Sequence, residues 1–443
     1  MKKALYIIGI LGILTGCEVM NVEPEASIPA SEAFKDKAGI ERGILGSYSS
    51  LQYLSYYGRT YLIYADLAAD NLAHPTDATS SDYAEVDNNA MLAENSSISG
   101  IWAACYDGIN VANNVIVKVP GMTDMTETEK NRALGELYFL RALSHFNLLN
   151  YFGAIPIKTE PTVGVSNLDA GRDPVSEVFA QIKTDLVLAS KYLPASASTK
   201  TRASKFAALA LLARVSLYSG DYATAREKAD SVIKYGGYTL PGNYADVFAS
   251  DGSAETIFEV DFNELDRNRI AEYNFPKTLN GRREVEPDPD LISAYETDDE
   301  RKAVSIAYDG ALAYANKYND LSKGADNVII LRLAEMYLIR AEAEANLTGG
   351  NISSIRADIN VIRNRADLGT VEANTAGELL LAIEQERRVE FAFEGHRWFD
   401  LVRTGRAIDV LPNVTRATQT LFPIPADEIL TNNSPEMIQN QGY

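Results

Sequence analysis

Two parts of the chain each contain a pair of helical segments joined by a short turn that contains glycine. Apolar residues in these segments recur three and four positions apart, which is the spacing of one helix face. The segments and turns are residues 203–218, Gly220-Asp221 and 222–235 in the first pair, and residues 331–347, Gly349-Gly350 and 352–366 in the second. With further helical patterns over residues 133–151, 175–192 and 379–403, they predict a mainly α-helical protein.

The first of these pairs resembles a tetratricopeptide unit. When residues 220–222 are placed on the turn of that repeat, Leu212 and Ala213 occupy its leucine and small-residue positions, and Ala225 its second-helix alanine. Small residues at these positions let two helices pack closely. Ser216 departs from the repeat, and the other pairs are too irregular for an array with a period of about 34 residues. We therefore expect degenerate helix pairs that serve as a scaffold.

Two long segments between the helices lack a helical pattern. Residues 65–99 are rich in Asp, Asn, Ser and Thr, and residues 235–327 contain short strand-like runs such as 256–262. Binding residues usually lie on loops held by a rigid scaffold. We expect one domain over residues 31–443, divided into a helical half (31–235), a loop-rich middle with a few short strands (236–327) and a C-terminal helical region (328–443).

The first residues predict an exported lipoprotein. Two lysines precede an uncharged apolar run over residues 4–14, which is too short for a membrane-spanning helix and is typical of a secretory signal. Leu14-Thr15-Gly16-Cys17 resembles a bacterial lipobox, in which the cysteine is acylated and becomes the new N-terminus. The expected segments are a signal peptide over residues 1–16, a lipid anchor on Cys17 and an acidic tether over residues 17–30.

The charge balance restricts the class of partner. The chain has 41 basic and 61 acidic residues, which gives a formal net charge of −20. Nucleic-acid binders need a basic face, so no nucleic-acid partner is expected. Docking on anionic lipid also needs basic segments, so the acyl chains must hold the protein on the membrane. Of the two cysteines, Cys17 is assigned to the lipid, and Cys105 is interpreted as a small core residue.

No recognisable catalytic segment is present. His74, His145 and His396 lie far apart without metal-ligand spacing, so no histidine-rich metal site is expected, and no cofactor is expected. A calcium ion among the Asp-rich loops stays open, although no EF-hand-like spacing supports it. The sequence contains no G-x-S-x-G nucleophile turn and no phosphate-binding G-x-x-x-x-G-K loop. The 61 acidic residues leave a glycosidase-like carboxylate pair open, because such a pair is defined by its distance across a sugar bond.

Five ordered motifs carry the most specific signal. Four lie in the C-terminal third: ILRLAEMYLIRAEAEAN (330–346), INVIRNRA (359–366), IEQERRVEFAFEGHRWFDLVRTGR (383–406) and LFPIPADEI (421–429) followed by QNQGY (439–443). The fifth is Trp102-x-x-x-Tyr106-x-x-Ile109-x-x-x-Asn113 in the N-terminal half. In this order the motifs resemble those of the SusD/RagB family of Bacteroidetes outer-membrane lipoproteins, over essentially the whole chain after Cys17.

This resemblance implies a fold, a location and a function. The implied fold is a SusD-like helical scaffold with tetratricopeptide-like pairs, decorated by long loops and a few short strands. The implied location is the cell outer membrane, with the protein facing outward on its lipid. The implied function is to bind an oligosaccharide or related nutrient and deliver it to a SusC-type TonB-dependent transporter, without enzymatic activity.

The motif around residue 390 also has a physical interpretation. Charges alternate in sign along residues 386–400, and neighbours three or four apart can pair along one helix. The alternative is a functional site built on Glu394, His396 and Asp400. The proline-containing segment 422–425 must be extended, and we expect it to lie across the helical body.

Two loop regions combine aromatic rings with planar polar groups, which is the combination that sugar recognition needs. The predicted ligand-binding residues are Asp70, Asn71, His74 and Tyr83 in the first region, and Tyr273, Asn274, Phe275 and Arg282 in the second. The alternative is that these loops carry ordinary polar surface and a few core anchors. The neighbouring Tyr53, Tyr57 and Tyr61 are four apart and predict a buried helical face instead.

Three functions stay open at this level. The leading hypothesis is a surface nutrient-binding lipoprotein that works with a transporter. The second is a tetratricopeptide-type scaffold for protein interactions, and the third is a surface glycan hydrolase. Binding of a glycan without its cleavage favours the first, product release the third, and no glycan binding the second.

Overall fold

Helices dominate the computed structural model, which describes residues 30–162, 164 and 168–443. The α-helices are α1 (Ala30–Ala33), α2 (Lys37–Ser49), α3 (Thr60–Leu67), α4 (Ser81–Asp87), α5 (Ser96–Ile116), α6 (Glu127–Phe152), α7 (Val175–Tyr192), α8 (Lys205–Tyr218), α9 (Tyr222–Tyr235), α10 (Ile270–Asn274), α11 (Pro289–Ala294), α12 (Glu300–Ser305), α13 (Leu333–Asn346), α14 (Ile352–Arg365), α15 (Ala376–Glu390), α16 (Arg397–Arg403), α17 (Ala407–Val410) and α18 (Ala426–Thr431). The predicted mainly α-helical fold is confirmed.

The strands are short and antiparallel. They are β1 (Leu72–Ala73), β2 (Thr256–Val260), β3 (Glu286–Pro287), β4 (Ile306–Asp309), β5 (Leu312–Ala315) and β6 (Val328–Arg332). In the described part of the chain β1 pairs with β3, β2 with β6 and β4 with β5. The β2–β6 pair is buried and joins a strand within the loop-rich middle to the strand that directly follows that segment.

The long helices pack in a continuous series. α5 packs on α6, α6 on α7, α7 on α8 and α8 on α9, and α9 then packs directly on α13, which contacts α14 and α15. The loop-rich middle lies between α9 and α13 in sequence but does not interrupt this series. The array is therefore one scaffold, and the middle segment is an insertion carried on it.

The tetratricopeptide-like pair is formed by α8 and α9. Ser204 caps α8 by accepting a hydrogen bond from the Ala207 backbone N–H, and Asp221 caps α9 by accepting one from Thr224. Gly220 between them has φ +75°, a left-handed conformation that glycine adopts without steric cost. Local turn chemistry therefore places this pair where the sequence predicts it.

In addition to the short helices α4 and α10–α12, which lie in segments expected to lack helix, three expectations about local structure were wrong. Residues 331–332 belong to β6, so the next helix begins at Leu333. Residues 379–403 are two helices rather than one, because the chain turns at 391–396, where Phe393 (φ +66°) and Gly395 (φ +77°) are left-handed. A Cβ on Gly395 would lie 2.8 Å from the Leu62 side chain, so close packing with α3 requires glycine there.

The third wrong expectation concerns the tyrosine-rich segment. Tyr57 and Tyr61 are buried, but Tyr53 is exposed and α3 begins only at Thr60, so the set does not share a helix face. Tyr56, Tyr57 and Tyr61 instead pack ring against ring, with Tyr56 and Tyr57 centroids 4.6 Å apart. The side chain of Asn147 on α6 bonds all three hydroxyls and joins the cluster to the array.

The C-terminal tail crosses the helical body as an extended segment. The Phe422 N–H donates to the Tyr151 carbonyl at 2.8 Å, and the two rings pack with centroids 4.5 Å apart. Phe422 and Ile424 are fully buried, so the tail belongs to the core. Cys105 is also a buried core residue, whereas Cys17 and the expected signal peptide lie outside the described residues.

Among the described residues, no helix combines enough length with enough apolar character to cross a membrane.

Candidate functional site

The two loop regions that the sequence selects lie side by side in the structure. Strand β1, just after Asn71, pairs with β3, just after Arg282 and Arg283, so that Leu72 lies opposite Pro287. The rings of Tyr83 and Tyr273 meet with centroids 5.7 Å apart. We call the surface formed by Arg59 and residues 70–83, 269–287 and 306–315 the loop face. Backbone pairing and ring packing hold its parts together.

Tyr273 lies at the centre of the loop face. The guanidinium carbon of Arg59 lies 4.1 Å from the ring centroid and that of Arg282 lies 4.8 Å from it, which are cation–π distances. Tyr273 is 8% exposed and Tyr83 is 2% exposed, so most of both rings is covered in this structure. The guanidinium of Arg282 and part of Arg59 are accessible polar groups beside these rings.

A tight loop presents Arg282. The Arg282 N–H donates to the Glu272 carbonyl at 2.6 Å, and the Glu284 N–H to the Tyr273 carbonyl at 2.9 Å. Arg283 has φ +52°, and a Cβ on Gly281 would lie 2.0 Å from the Phe275 carbonyl oxygen. Left-handed conformations at non-glycine residues are uncommon and cluster at functional sites. The loop therefore holds the Arg282 side chain outward on a compact, constrained backbone.

Glu284 fastens the first loop region to the second. Its carboxylate accepts hydrogen bonds from the Thr79 N–H at 3.0 Å, the Thr79 hydroxyl at 2.8 Å and the Ser80 N–H at 3.0 Å. Burial acts to raise the pKa of Glu284, but these donors outweigh it and the pKa is lowered. An ionised Glu284 thus fixes the loop just ahead of α4.

The β4–β5 hairpin forms the rim of the loop face. Phe275 packs on Tyr314 with ring centroids 4.5 Å apart, and the Thr278 hydroxyl contacts Asp309. Tyr308 on the same hairpin is 53% exposed, so it offers an aromatic ring to solvent. Aromatic surface next to charged donors is typical of sites that bind sugars or other polar ligands.

Asp70 and Asn71 point toward the scaffold. Asp70 pairs with Arg397 at 2.6 Å and with Arg388 at 3.1 Å. The Asn71 side chain donates to Asp66 at 2.7 Å and accepts from Arg388. The opposing charges lower the pKa of Asp70 despite its burial. Both residues fix the start of the loop face to α15 and α16.

The remaining predicted residues differ in exposure. His74 is half-buried, its ring Nε2 has no hydrogen-bond partner among the described residues, and burial lowers its pKa. Asn274 is buried and donates to the Ile270 carbonyl at 2.9 Å. The structure thus brings Tyr83, Tyr273 and Arg282 together on one face, with His74 in the neighbouring loop and the other predicted residues beneath or beside them.

Arg59 belongs to the loop face but was missed at the sequence level. It lies at the end of the tyrosine-rich segment, which was interpreted as core. The Arg269 N–H donates to the Gly58 carbonyl at 2.8 Å, and this contact brings Arg59 to the second loop region. The series of basic residues from Arg267 to Arg283 predicts a charged surface, but nothing in the sequence shows that Arg59 lies next to it.

The C-terminal motif residues form a buried charge network. Glu390, which is fully buried, contacts Arg332 at 2.5 Å, Arg301 at 3.2 Å, and Arg365. Glu255 accepts from Arg332 at 2.8 Å and also contacts Arg365. Burial acts to raise the pKa of Glu390, but the three arginines outweigh it and hold the pKa well below its usual range.

Partners within this network come mostly from different elements. The expected pairing along one helix was therefore wrong for Glu386, Arg387 and Glu390, whose partners lie on other segments. Glu394 pairs with Arg332 and Lys317, and Asp400 with Arg387 and Arg403. Each acidic group of the alternative site is thus already held by two cations in the scaffold.

Two further histidines are buried in the scaffold. His145 contacts the Arg141 carbonyl through Nδ1 at 3.1 Å and the Lys158 N–H through Nε2 at 3.3 Å, and burial lowers its pKa to about 3. Burial also lowers the pKa of His396 well below its ordinary value. Within the described ranges, no group of three or more His, Cys, Asp or Glu side chains could hold a metal ion.

Comparisons with known proteins cover both halves of the molecule. A family model described as "Starch-binding associating with outer membrane" matches residues 21–217, and the SusD family model matches residues 301–411. SusD-like protein P2 of Formosa agariphila is 27% identical, with 100% of both chains covered. The starch-binding protein SusD of Bacteroides thetaiotaomicron is 28% identical over 76% of this chain and 77% of that protein.

A solved structure agrees with these matches. A laminarin-binding SusD-like protein superposes with a TM-score of 0.82 at 26% identity, over 92% of this chain and 100% of that one. The helical array and its inserted loop face define a helical-repeat scaffold protein with a loop-borne surface. The chain belongs to the SusD/RagB family.

Proposed function

We propose that this chain binds an oligosaccharide at the loop face and does not cleave it. The observation that supports this most is the full-length likeness to a laminarin-binding SusD-like protein, together with the match to a starch-binding family model. The loop face adds an aromatic centre at Tyr273, an exposed ring at Tyr308 and guanidinium donors at Arg59 and Arg282. Rings and planar donors of this kind are what sugar recognition uses.

The predicted residues have two proposed roles. Arg282, Tyr273 and His74 contact the ligand, because Arg282 is exposed, His74 is half-buried and Tyr273 lies directly beside the Arg282 guanidinium. Asp70, Asn71, Tyr83, Asn274 and Phe275 position them, because their side chains are engaged beneath the face. Ligand binding would uncover more of Tyr273 if Arg282 moved off its ring.

The proposal includes a membrane anchor and a partner. We propose that Cys17 carries acyl chains that hold the protein on the outer membrane, facing outward. The tether over residues 17–30 would keep it beside a SusC-type TonB-dependent transporter, to which it delivers the bound oligosaccharide. A tethered pair needs little free affinity, because the tether raises the effective concentration.

Calorimetry on the full chain, purified in a detergent without sugar groups, tests the binding function. The panel contains laminarihexaose, maltohexaose, xylohexaose and hexagalacturonate, and each mixture is then assayed for new reducing ends. Binding without new reducing ends is expected. Release of shorter products would show a hydrolase, and absence of binding to every glycan would refute carbohydrate recognition and favour a protein-interaction scaffold.

The location of the site has a matched test. Arg282 is 47% exposed with one carboxylate near it, and Arg226 on α9 is 49% exposed with Glu344 as its partner. Arg282→Ala should weaken glycan binding about tenfold, since a hydrogen bond from a charged donor contributes about 1.5–3 kcal/mol. Arg226→Ala should leave affinity unchanged. Equal effects of the two substitutions on glycan affinity would show that the loop face is not the binding site.

Replacement of the proposed lipidated residue tests the anchor. Cys17→Ser should move the protein from the membrane fraction to the soluble fraction and impair uptake, while glycan binding in solution is retained. Cys105→Ser serves as the control, because Cys105 is buried in the core and its loss should not change membrane retention. A Cys17→Ser protein that stays on the membrane would contradict lipid anchoring.

A further inference from the structure

Cations are concentrated in the stretch that forms the centre of the loop face. From Arg267 to Arg283 there are five basic residues and one acidic residue, but Asp266 and Glu284 border the stretch, and the loop face as a whole has more acidic than basic residues. This balance opposes the approach of an anionic ligand, so an anion would be held only where cations lack carboxylate partners of their own. The placement of these cations therefore bears on the charge of the ligand.

Three of the cations on the loop face are neutralised within the protein. Asp77 pairs with Lys277 at 3.2 Å and also with Arg283, which has a second partner in Glu286. Arg269 lies 3.6 Å from Glu272. These contacts leave no surplus charge at those three positions.

Arg59 and Arg282 are different. The Arg59 guanidinium donates to the Thr60 hydroxyl at 3.1 and 3.2 Å, and no carboxylate of the described chain lies within ion-pair distance of it. Arg282 lies 3.5 Å from Glu284, at the edge of hydrogen-bond distance. The Glu284 carboxylate already accepts three hydrogen bonds from Thr79 and Ser80, so it is a weak acceptor for Arg282.

The two guanidiniums share one aromatic ring. Both contact Tyr273, at 4.1 and 4.8 Å from its centroid, so both guanidiniums border the same ring. Like charges that border one ring repel each other, and an anion bound by both relieves the repulsion. Guanidinium groups bind carboxylate and sulfate oxygens through paired N–H donors in a fixed fork.

We infer that the ligand of the loop face is an anionic oligosaccharide, whose carboxylate or sulfate group is bound by Arg59 and Arg282 beside Tyr273. This inference rests on the proposed glycan-binding function and specifies its ligand class. The sugar ring would lie against Tyr273 or Tyr308, and the acidic group would replace the weak contact between Arg282 and Glu284.

Paired probes isolate the charge. Calorimetry compares hexagalacturonate with the same hexasaccharide after its carboxyl groups are reduced to hydroxymethyl groups, and a κ-carrageenan hexasaccharide, whose acidic groups are all sulfates, with its desulfated form. The charged member of at least one pair should bind about tenfold or more tightly at 50 mM NaCl, and the difference should shrink at 500 mM NaCl because salt screens the contact. The preferred pair distinguishes carboxylate from sulfate.

Variants then assign the charge to the two arginines. Arg59→Gln and Arg282→Gln should each reduce affinity for the charged probe about tenfold and reduce its advantage over the neutral probe. Arg226→Gln is the control and should change neither affinity. Arg282→Lys keeps the positive charge but loses the paired N–H donors of the guanidinium. Its affinity for the charged probe should therefore retain part of the dependence on salt.

The outcomes separate this inference from the function on which it rests. Equal binding of charged and neutral probes, or preference for laminarihexaose, would overturn the anionic ligand and leave glycan binding in place. A charge preference that survives in both glutamine variants would overturn the assignment to Arg59 and Arg282 and make their contact with Tyr273 purely structural. No binding of any glycan would overturn both proposals.

Discussion

Glu390 in the scaffold has no exposed surface and contacts three arginines, whereas Arg282 on the loop face is half-exposed and lies 3.5 Å from its nearest carboxylate. In the first arrangement the charges are paired inside the protein. The second arrangement leaves guanidinium N–H donors available to a ligand. A buried ion pair that loses one partner is strongly destabilising, but an exposed one contributes little. The difference separates residues that maintain the fold from residues that are free to bind.

Replacement of Glu390 should have the largest effect on stability. Glu390→Gln removes the charge shared by Arg332, Arg365 and Arg301 and leaves three buried cations with fewer acceptors. The free energy of unfolding should fall by about 5 kcal/mol, measured by denaturant unfolding. The control is Glu227→Gln, an exposed carboxylate on α9, which should change stability by less than about 0.5 kcal/mol. Similar losses of unfolding free energy for the two variants would show that the buried charge network stabilises the fold no more than an exposed carboxylate does.

Removal of the Phe422 ring should have the next largest effect. Phe422→Ala deletes a fully buried ring that packs on Tyr151, Tyr64 and Trp398. A loss of about 3–4 kcal/mol in unfolding free energy is expected from burial and cavity formation. Leu430→Ala in the same tail is the control, because that side chain is exposed. A small loss at Phe422 would show that the tail is not part of the core.

Lys317 provides a smaller effect that depends on pH. Burial lowers its pKa to about 8 against the opposing influence of Glu394, whereas in the unfolded chain it keeps its proton to about pH 10.4. Between these values the unfolded state binds more protons, so stability rises with pH. From pH 8 to 10, the native chain should gain about 1 kcal/mol per pH unit over Lys317→Met.

The exposed Lys323, which pairs with Glu264, supplies the control for this slope. Lys323→Met and the native chain should show parallel stability curves over the same pH range. If the Lys317→Met curve is also parallel to that of the native chain, Lys317 does not lose its proton in this window, and the charge network extends less far into the insertion than its contacts indicate.

Tyr308 on the rim should show the smallest effect on stability. Tyr308→Ala removes an exposed ring, so unfolding free energy should change by less than about 0.5 kcal/mol. Glycan affinity should fall about fivefold, because an aromatic contact contributes about 1 kcal/mol. Tyr235→Ala, at the exposed end of α9, should affect neither quantity. If Tyr308→Ala lowers stability but leaves glycan affinity unchanged, Tyr308 supports the fold and does not bind the ligand.

Much of the scaffold was predictable because its signals are local. Helix α7 has the bounds expected from its apolar spacing, and the turn at Gly220-Asp221 was placed by residue types that favour turns and caps. Hydrogen bonds within a helix join residues four apart, so a short window of sequence contains the information. The family resemblance followed from ordered motifs, most of which proved to be buried.

The charge partners and the break after α15 were not predictable in this way. Glu390 finds its arginines on β6, α12 and α14, and a pattern within one helix does not contain them. The chain turns at Gly395 because α3 packs against it, which is a property of two distant segments. Contacts between distant segments, and not the alternation of charge along one helix, therefore determine which residues these charges pair with.

For the candidate site, the sequence determined which kinds of residue are available, and the tertiary structure decided which of them meet. Rings and planar polar groups in two loops were visible in the sequence, and so was the basic stretch that ends at Arg283. The β1–β3 pairing, the bonds from Thr79 and Ser80 to Glu284 and the contact at Gly58 bring the residues of the two loop regions and Arg59 to one face. The physical reason is that composition and periodicity act along the chain, whereas a binding surface depends on distances between parts of the chain that are remote in sequence.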